Sequence, residues 1–232
     1  MSSWIDFDKH LLLSLNGSDS LFFDGLMKTL TTATTWIPLY VALLYLVIKN
    51  NDSMKKVLLI VGAALLCVLL AGTIDDLFVK PTVARWRPAR DGEIGFQVDI
   101  VNGYRGGRFG FFSAHAANTF SIAVYFMLLV RSRLLSAALV LWSLVNCWTR
   151  LYLGVHYPGD ILVGLLWGAV VGTFVWYFHQ RLCKRLEFTT TYISEHYTKT
   201  GYQFSDADTV VSVLAFTLLY AVVRACLYLY VS

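Results

Sequence analysis

Residues 158–179 read PGDILVGLLWGAVVGTFVWYFH, and this stretch decides the fold. It is long enough to cross a bilayer, for which about 20 mostly apolar residues suffice. Gly164, Gly168 and Gly172 recur every four residues, so they share one helix face and let a neighbouring helix approach closely. Asp160, near the start, is costly in a membrane unless it is paired. The stretch therefore predicts a spanning helix whose glycine face and aspartate point into a bundle.

The composition of the whole chain agrees with this interpretation. Of its 232 residues, 57% are hydrophobic and only 15% are charged, an apolar fraction that soluble domains seldom reach. The net charge of +4 includes no basic stripe, which argues against nucleic acid as a partner. We expect an all-α, polytopic membrane helical bundle that forms one domain over residues 1–232, with its motif core at about 75–165.

Apolar stretches give the expected spans. Six are predicted: 27–48, 57–78, 113–130, 134–152, 158–179 and 208–231. A further stretch, 4–23, is too short and too broken to span. Its apolar residues predict an amphipathic helix that lies on the membrane surface.

The segment from Arg150 to Asp160 (RLYLGVHYPGD) places a histidine near a carboxylate. If helical geometry begins near His156, then His156 and Asp160 lie four residues apart on one face. Asp160 can then accept a hydrogen bond from one imidazole nitrogen, which leaves the other nitrogen free as a nucleophile. Arg150 can reach back as a bidentate phosphate clamp. The alternative is an interfacial loop in which Tyr152, His156 and Tyr157 form part of an aromatic belt.

The segment from Phe112 to His115 (FSAH) precedes the predicted span 113–130. Ser113 is expected to cap this helix, with His115 in its first turn. Free N–H groups and the positive end of the helix dipole make such a terminus an anion site. His115 is placed to donate a proton to a departing alkoxide. The alternative is a chance combination of a serine cap and a lone histidine.

The segment from Lys80 to Pro88 (KPTVARWRP) supplies cations. Lys80 and Arg87 are expected to neutralise the oxygens of a transferring phosphoryl group. The alternative is a basic cluster that touches lipid headgroups, which is the role that we assign to Arg85 and Arg90.

All three segments are predicted to lie at one face of the membrane. The first two flank the loop 80–112, and the third lies between the fourth and fifth spans. Lys and Arg in short loops mark the cytoplasmic side. Those residues are Lys49, Lys55, Lys56, Arg131, Arg133, Arg181, Lys184, Arg185 and Lys199. The motif face is therefore expected outside. The arginines of the loop 80–112 argue against this orientation, but we discount them because a phosphate site needs cations on whichever side it faces.

Together the segments resemble the type 2 phosphatidic acid phosphatase superfamily, whose pattern is Lys-x6-Arg-Pro, Pro-Ser-Gly-His and Ser-Arg-x5-His-x3-Asp. The matching residues are Lys80, Arg87, Pro88, Ser113, His115, Arg150, His156 and Asp160. Thr149, Phe112 and Ala114 depart from the pattern. Ala114 still supplies a backbone N–H, so the anion site is expected to survive. The resemblance covers roughly residues 20–180.

This resemblance implies a membrane lipid phosphatase that needs no metal and no other cofactor. His156 would attack phosphorus and form a phosphohistidine, Asp160 would orient it, and His115 would protonate the leaving oxygen. The residues implied to bind the phosphate are Lys80, Arg87, Ser113 and Arg150.

The resemblance leaves several substrates open. A lipid A phosphate or undecaprenyl diphosphate is favoured because the site is expected to face outward. Phosphatidylglycerol phosphate and phosphatidic acid are alternatives. The compact six-span plan is similar to that of bacterial members, which implies the inner membrane with the site facing the periplasm. A lipid phosphotransferase, an inactive relative and a transporter remain as other classes, although a transporter would carry polar residues at mid-membrane. The sequence does not indicate an oligomeric state.

Several residues outside the motifs also carry predictions. Asp75 and Asp76 are expected to pair with Lys80 or Arg85 rather than to bind a metal. Four cysteines are interpreted as small buried hydrophobes, without disulfides or metal. They are Cys67, Cys147, Cys183 and Cys226.

Two further segments carry charge. Arg105 and Arg108 flank two glycines in a loop that we interpret as a lid over the lipid headgroup. Arg224, in the last span, is expected to snorkel to the surface, with contact to an anionic substrate or a buried carboxylate as the alternative. The polar segment 181–207 is expected to be a cytoplasmic linker, and His196 in it has no assigned role.

Overall fold

The regular structure is entirely helical in the computed structural model, which describes residues 2–186 and 195–229. The only β-type pairings in those residues are two isolated bridges. The helices are α1 (Ser2–Leu15), α2 (Leu21–Thr31), α3 (Ile37–Lys49), α4 (Met54–Val83), α5 (Ala114–Val130), α6 (Arg133–Tyr152), α7 (Pro158–Arg185) and α8 (Phe204–Tyr228). The all-α prediction is confirmed.

Membrane spans can be recognised by helix length and apolarity. Within the described ranges α4, α6, α7 and α8 qualify, and the bent pair α2–α3 supplies a fifth unit. Helix α5 is shorter, with 17 residues, or about 25 Å. Most of its side chains are buried, and it packs against α4, α6 and α7. An apolar helix that is buried all round forms the interior of a bundle, so the six predicted spans correspond to these six units.

The prediction of one continuous helix over 27–48 is wrong. The chain bends by 68° between α2 and α3, and Thr32 at the break is extended. Side chains satisfy carbonyl groups in the last turns of α2. The Thr35 hydroxyl donates to one at 2.7 Å, and the Trp36 indole N–H donates to another at 2.9 Å. A hydropathy pattern does not predict this bend, because every residue that forms these hydrogen bonds is compatible with a membrane span.

The predicted surface helix over 4–23 is shorter than expected. It ends at Leu15, because Gly17 takes a left-handed conformation (φ 64°) and its N–H donates to the carbonyl of Tyr152 at 2.9 Å. The apolar residues Trp4 and Phe7 are exposed, as expected of a helix on a membrane surface.

The polar linker predicted over 181–207 is also shorter, since α7 continues to Arg185 and α8 begins at Phe204. Residues 187–194, and the end of the predicted span 208–231, lie outside the described residues. Cys67, Cys147, Cys183 and Cys226 are all free, as expected. Their interpretation as buried hydrophobes is confirmed for Cys67 and Cys147, and it is wrong for Cys183, which is half-buried, and for Cys226, which is exposed.

The glycine face of α7 packs directly on the backbone of α5, as its spacing predicts. A Cβ atom added at Gly164, Gly168 or Gly172 would lie within 2.7 Å of a carbonyl oxygen of α5. This contact aligns the first turns of the two helices, so that the Ser113 N–H donates to the carbonyl of Asp160 at 3.1 Å. The glycine stripe therefore sets the relative position of two segments that carry predicted site residues.

We expect Gly168→Ala to destabilise the protein, because its new methyl group would lie 2.7 Å from the Ala117 carbonyl oxygen. Such overpacking typically costs about 1–3 kcal/mol. Gly62→Ala is the matched control, since a Cβ there meets nothing within 4 Å. Thermal unfolding in detergent should show a lower Tm for Gly168→Ala only. Equal Tm values for the two variants would contradict this account of the α5–α7 contact.

Candidate active site

The predicted site residues meet at one end of the bundle. Arg87 follows α4, Ser113 caps α5, and Arg150 lies in the last turn of α6. His156 lies two residues before α7, and Asp160 lies in the first turn of α7. A second backbone bond, from the Gly110 N–H to the carbonyl of Arg85 at 2.9 Å, closes the loop between α4 and α5 over this end. The segments are thus held together by backbone bonds as well as by side chains.

The tautomer of His156 follows from its neighbours. Nε2 lies 3.4 Å from Nη1 of Arg87. Because a guanidinium only donates, Nε2 must be the acceptor, and the ring proton lies on Nδ1. Nδ1 lies 3.5 Å from Oδ2 of Asp160. The carboxylate lies beside Nδ1, but Nδ1 has no hydrogen-bond partner among the described residues, so the predicted hydrogen bond to Asp160 is not formed. The helix begins only at Pro158, so His156 lies before it and does not share a helical face with Asp160.

His156 is buried, with 1% of its surface exposed. Burial lowers the pKa of His156 well below its ordinary value, and the charges of Arg87, Arg150 and Lys80 lower it further. The imidazole is consequently neutral at physiological pH, which is the form whose second nitrogen carries a lone pair.

Asp160 is fully buried and has several partners. Its Oδ2 accepts the backbone N–H of Tyr157 at 3.0 Å, in a capping box at the start of α7. Its Oδ1 pairs with Nη1 of Arg85 at 2.8 Å. The assignment of Arg85 to lipid headgroups is therefore wrong. No pattern in the sequence marks Arg85 as the partner, because its contact with Asp160 is made only by folding.

Helix α1 completes this ion-pair chain. Asp8 pairs with Nη2 of Arg85 at 2.6 Å and accepts the N–H of Gly159 at 2.8 Å. Burial lowers the pKa of Arg85, but the charges of Asp160 and Asp8 outweigh this effect and raise the pKa above its ordinary value. The surface helix thus contacts the first turn of α7. Nothing in the predicted role of α1 as a membrane-surface helix indicated this.

Arg150 is buried and has polar partners on two other segments. It donates through Nη1 to the hydroxyl of Thr31 and through Nη2 to the hydroxyl of Tyr104, the latter at 3.1 Å. Its Nε has no hydrogen-bond partner among the described residues. Sequence reasoning missed Thr31 and Tyr104, since neither lies in a motif.

Lys80 lies in the last turn of α4, where the helix has widened to π geometry over Asp75–Val79. Nζ lies 2.8 Å from Asp75 and 2.5 Å from Asp76, which confirms the predicted pairing. Asp75 also accepts the backbone N–H of Phe112 at 3.1 Å. One buried carboxylate therefore holds both Lys80 and the segment that precedes Ser113.

Ser113 caps α5, as its position predicted. Its hydroxyl accepts the N–H of Ala116 at 3.4 Å, and the residue is fully buried. His115 lies in the following turn, within range of the charges of Arg150 and Arg87. The helix N-terminus and the cations thus face a common region, which suits a multiply charged oxyanion.

The glycine-rich part of the loop covers these groups. A Cβ at Gly106, whose φ is 62°, would lie 2.5 Å from Nη1 of Arg87, and one at Gly110 would lie 3.2 Å from Asp160. Arg105 donates to the carbonyl of Ala89 at 3.3 Å. The loop thus closes directly over the site, and its role as a lid stays a prediction.

The pH dependence of stability follows from His156. A histidine whose pKa is lower in the folded protein binds fewer protons when folded, so stability falls as the pH drops below about 6.5. Between pH 7.5 and 5.5 in detergent, we expect the Tm of His156→Gln to fall less than the Tm of the wild type. His10→Gln, at an exposed position of α1, is the control and should follow the wild type. Identical pH profiles for all three proteins would refute this.

We expect Asp8→Asn to loosen α1, because it removes the charge that binds Arg85. A charge-assisted contact of this kind is worth about 1.5–3 kcal/mol, so amide hydrogen exchange in α1 should accelerate about tenfold or more. Asp6→Asn is the matched control, since Asp6 is exposed on the same helix. If both variants exchange at the wild-type rate, the ion pair does not hold α1 in place.

Comparison with known proteins identifies the family of this chain. Residues 56–184 match the family model described as PAP2 superfamily. The chain is 41% identical over 186 residues to a lipid A 4′-phosphatase of Bacteroides thetaiotaomicron, which covers 80% of this chain and 82% of the relative. It is 34% identical to a lipid A 4′-phosphatase of Porphyromonas gingivalis over 74% of this chain and 72% of that protein. No solved structure matches. The chain therefore belongs to the PAP2 superfamily of membrane proteins.

Proposed function

We propose that this membrane lipid phosphatase hydrolyses the 4′-phosphate of lipid A through a phosphohistidine on His156. Two relatives that bear the name lipid A 4′-phosphatase support the substrate. The observation that carries the mechanism is the setting of His156. It is buried, it faces Asp160 through Nδ1, and it turns Nε2 toward Arg87.

In the first step, Nε2 of His156 attacks phosphorus and the bond from phosphorus to the sugar oxygen breaks. The leaving alkoxide takes a proton from His115, so the products are a sugar hydroxyl and a phosphohistidine. Asp160 stabilises the positive charge that develops on the imidazole, because it faces the Nδ1 proton. Binding of the phosphate dianion places negative charge beside His115, which favours its protonated form.

In the second step, water attacks the phosphohistidine. His115, now neutral, accepts a proton from this water, and the N–P bond breaks to release inorganic phosphate. His156 then returns to its neutral form with the proton on Nδ1. Both steps develop charge on the same phosphoryl oxygens, so one set of donors serves both.

The phosphoryl oxygens are bound by Lys80, Arg87, Arg150 and the N-terminus of α5 at Ser113. A donor of this kind in a buried site typically contributes about 3–4 kcal/mol to transition-state stabilisation. These fixed cations supply the charge that a metal ion supplies in other phosphatases, and we propose catalysis without a metal.

The site is proposed to face the periplasm from the inner membrane. Lys and Arg of the short loops collect at the opposite end of the bundle. A lipid A molecule in the outer leaflet of that membrane presents its headgroup at the site end. Undecaprenyl diphosphate in the same leaflet is the alternative substrate to compare.

Phosphate release by purified protein in detergent with EDTA tests this proposal. Lipid A should be hydrolysed in preference to undecaprenyl diphosphate and phosphatidic acid. His156→Ala should lose at least about 10³-fold in kcat, and Asp160→Asn about 10²–10⁴-fold, because the tautomer is no longer held. His10→Ala is the histidine control and should retain full activity.

Rapid acid-free quenching with ³²P-labelled lipid A should trap label on the wild-type protein and not on His156→Ala. Label that is stable to acid would point to a different nucleophile, since phosphohistidine is acid-labile. Loss of activity in EDTA, restored by a divalent cation, would overturn the metal-free mechanism. Label that is transferred to a second lipid would indicate a phosphotransferase instead.

A further inference from the structure

A polar cleft lies beside the phosphate site, where the bend between α2 and α3 leaves space against α8. It has a volume of about 590 Å³, and its walls include Lys28, Thr34, Thr35, Tyr220 and Arg224. We call it the α2–α8 cleft. The bend creates this cleft, because the threonine segment at the break forms part of its walls and would be absent from a straight helix over 27–48.

The cleft adjoins a cavity whose walls contact Arg150. Lys28 and Thr32 line both the α2–α8 cleft and an adjoining cavity of about 370 Å³. The walls of that second cavity include Thr31 and Tyr104. Both of these residues accept hydrogen bonds from Arg150. A ligand bound at Arg150 can therefore continue past Lys28 into the cleft.

The cleft carries positive charge without an acidic partner. Lys28 and Arg224 are its charged wall residues, and neither makes an ion pair with any described residue. Both side chains are exposed. They lie at the site end of the bundle, since Tyr228, one helical turn beyond Arg224, accepts a bond from Asn102 at 2.6 Å. The charges are therefore available to an anion at that end.

The remaining walls suit sugar hydroxyl groups. The hydroxyls of Thr29, Thr32 and Thr35 donate to backbone carbonyls at 2.7–2.8 Å. Each has thereby used its only proton and keeps lone pairs that can accept. A sugar offers many O–H donors, so it complements these walls. The exposed ring of Tyr220 adds an apolar face against which a sugar can pack.

We propose that the α2–α8 cleft is a second anion subsite, in which Lys28 and Arg224 bind a further phosphate of a glycolipid headgroup. The sugar would lie against the threonines while the scissile phosphate lies at Arg150. The proposal rests on the proposed function, because it assigns the rest of the same substrate. It also replaces the prediction that Arg224 only snorkels to the surface. The enzyme would then prefer a headgroup that is phosphorylated at two positions.

Two forms of one lipid test this subsite. Lipid A with both phosphates is compared with lipid A that retains only the 4′-phosphate, each in neutral detergent micelles. The double variant Lys28→Gln/Arg224→Gln should raise KM for the bisphosphorylated form about tenfold or more, since two charged contacts are lost. KM for the 4′-monophosphorylated form should change less than about twofold. Arg133→Gln is the control, because Arg133 is exposed, lies outside the cleft and begins α6 at the opposite end of the bundle.

The proposal would be overturned if the double variant raised KM equally for the two lipids, or if it left KM unchanged for both. If added phosphatidylglycerol weakened turnover of both forms through the same two residues, the cleft would bind any anionic lipid and not the substrate.

Binding to His156→Ala protein, measured by surface plasmon resonance with both lipids in micelles, separates this inference from the proposed function. Tighter binding of the bisphosphorylated form, lost in the protein that also carries Lys28→Gln/Arg224→Gln, supports the subsite even if no phosphate is released. Equal affinities for the two lipids refute it. Absence of turnover by the wild type with either lipid is a failure of the proposed function alone.

Discussion

The buried carboxylate of Asp160 organises the start of α7 and the loop that covers it. Asp160 has no exposed surface, so its charge must be balanced by nearby donors. It meets this need with Arg85, with the N–H of Tyr157 and with the Nδ1 face of His156. Because these partners come from different segments, satisfying one carboxylate draws the loop after α4 and the start of α7 together.

This arrangement depends on how closely α5 and α7 approach. The glycine face of α7 brings its backbone against that of α5, and the first turns of both helices lie side by side. Ser113 and Asp160 are therefore joined through their backbones. Two elements of different chemistry, a helix N-terminus and a histidine–carboxylate pair, are thereby brought to one place. Neither element alone would provide both an anion site and a histidine beside a carboxylate.

The arginines around the site have two different roles. Burial is the main reason why the pKa of His156 is low, and the charges of Arg87 and Arg150 lower it further. Arg85 instead balances Asp160 and ties it to Asp8 of the surface helix. The two arginines of the Arg-Trp-Arg stretch thus have different partners, Asp8 and Asp160 for Arg85 and His156 for Arg87. Residue type alone does not distinguish them.

The sequence by itself determined the positions of the spans other than 27–48, the glycine face, the serine cap and the spacing of His156 and Asp160. Each depends on residues close together in the chain, where helical periodicity dictates which side chains share a face. Only the tertiary structure decided the bend at Thr32, the partners Thr31 and Tyr104 of Arg150, and the link from Asp8 through Arg85 to Asp160. Those contacts join residues that lie far apart in the chain. Local patterns do not contain them, because the free energy that selects them arises only when the helices pack.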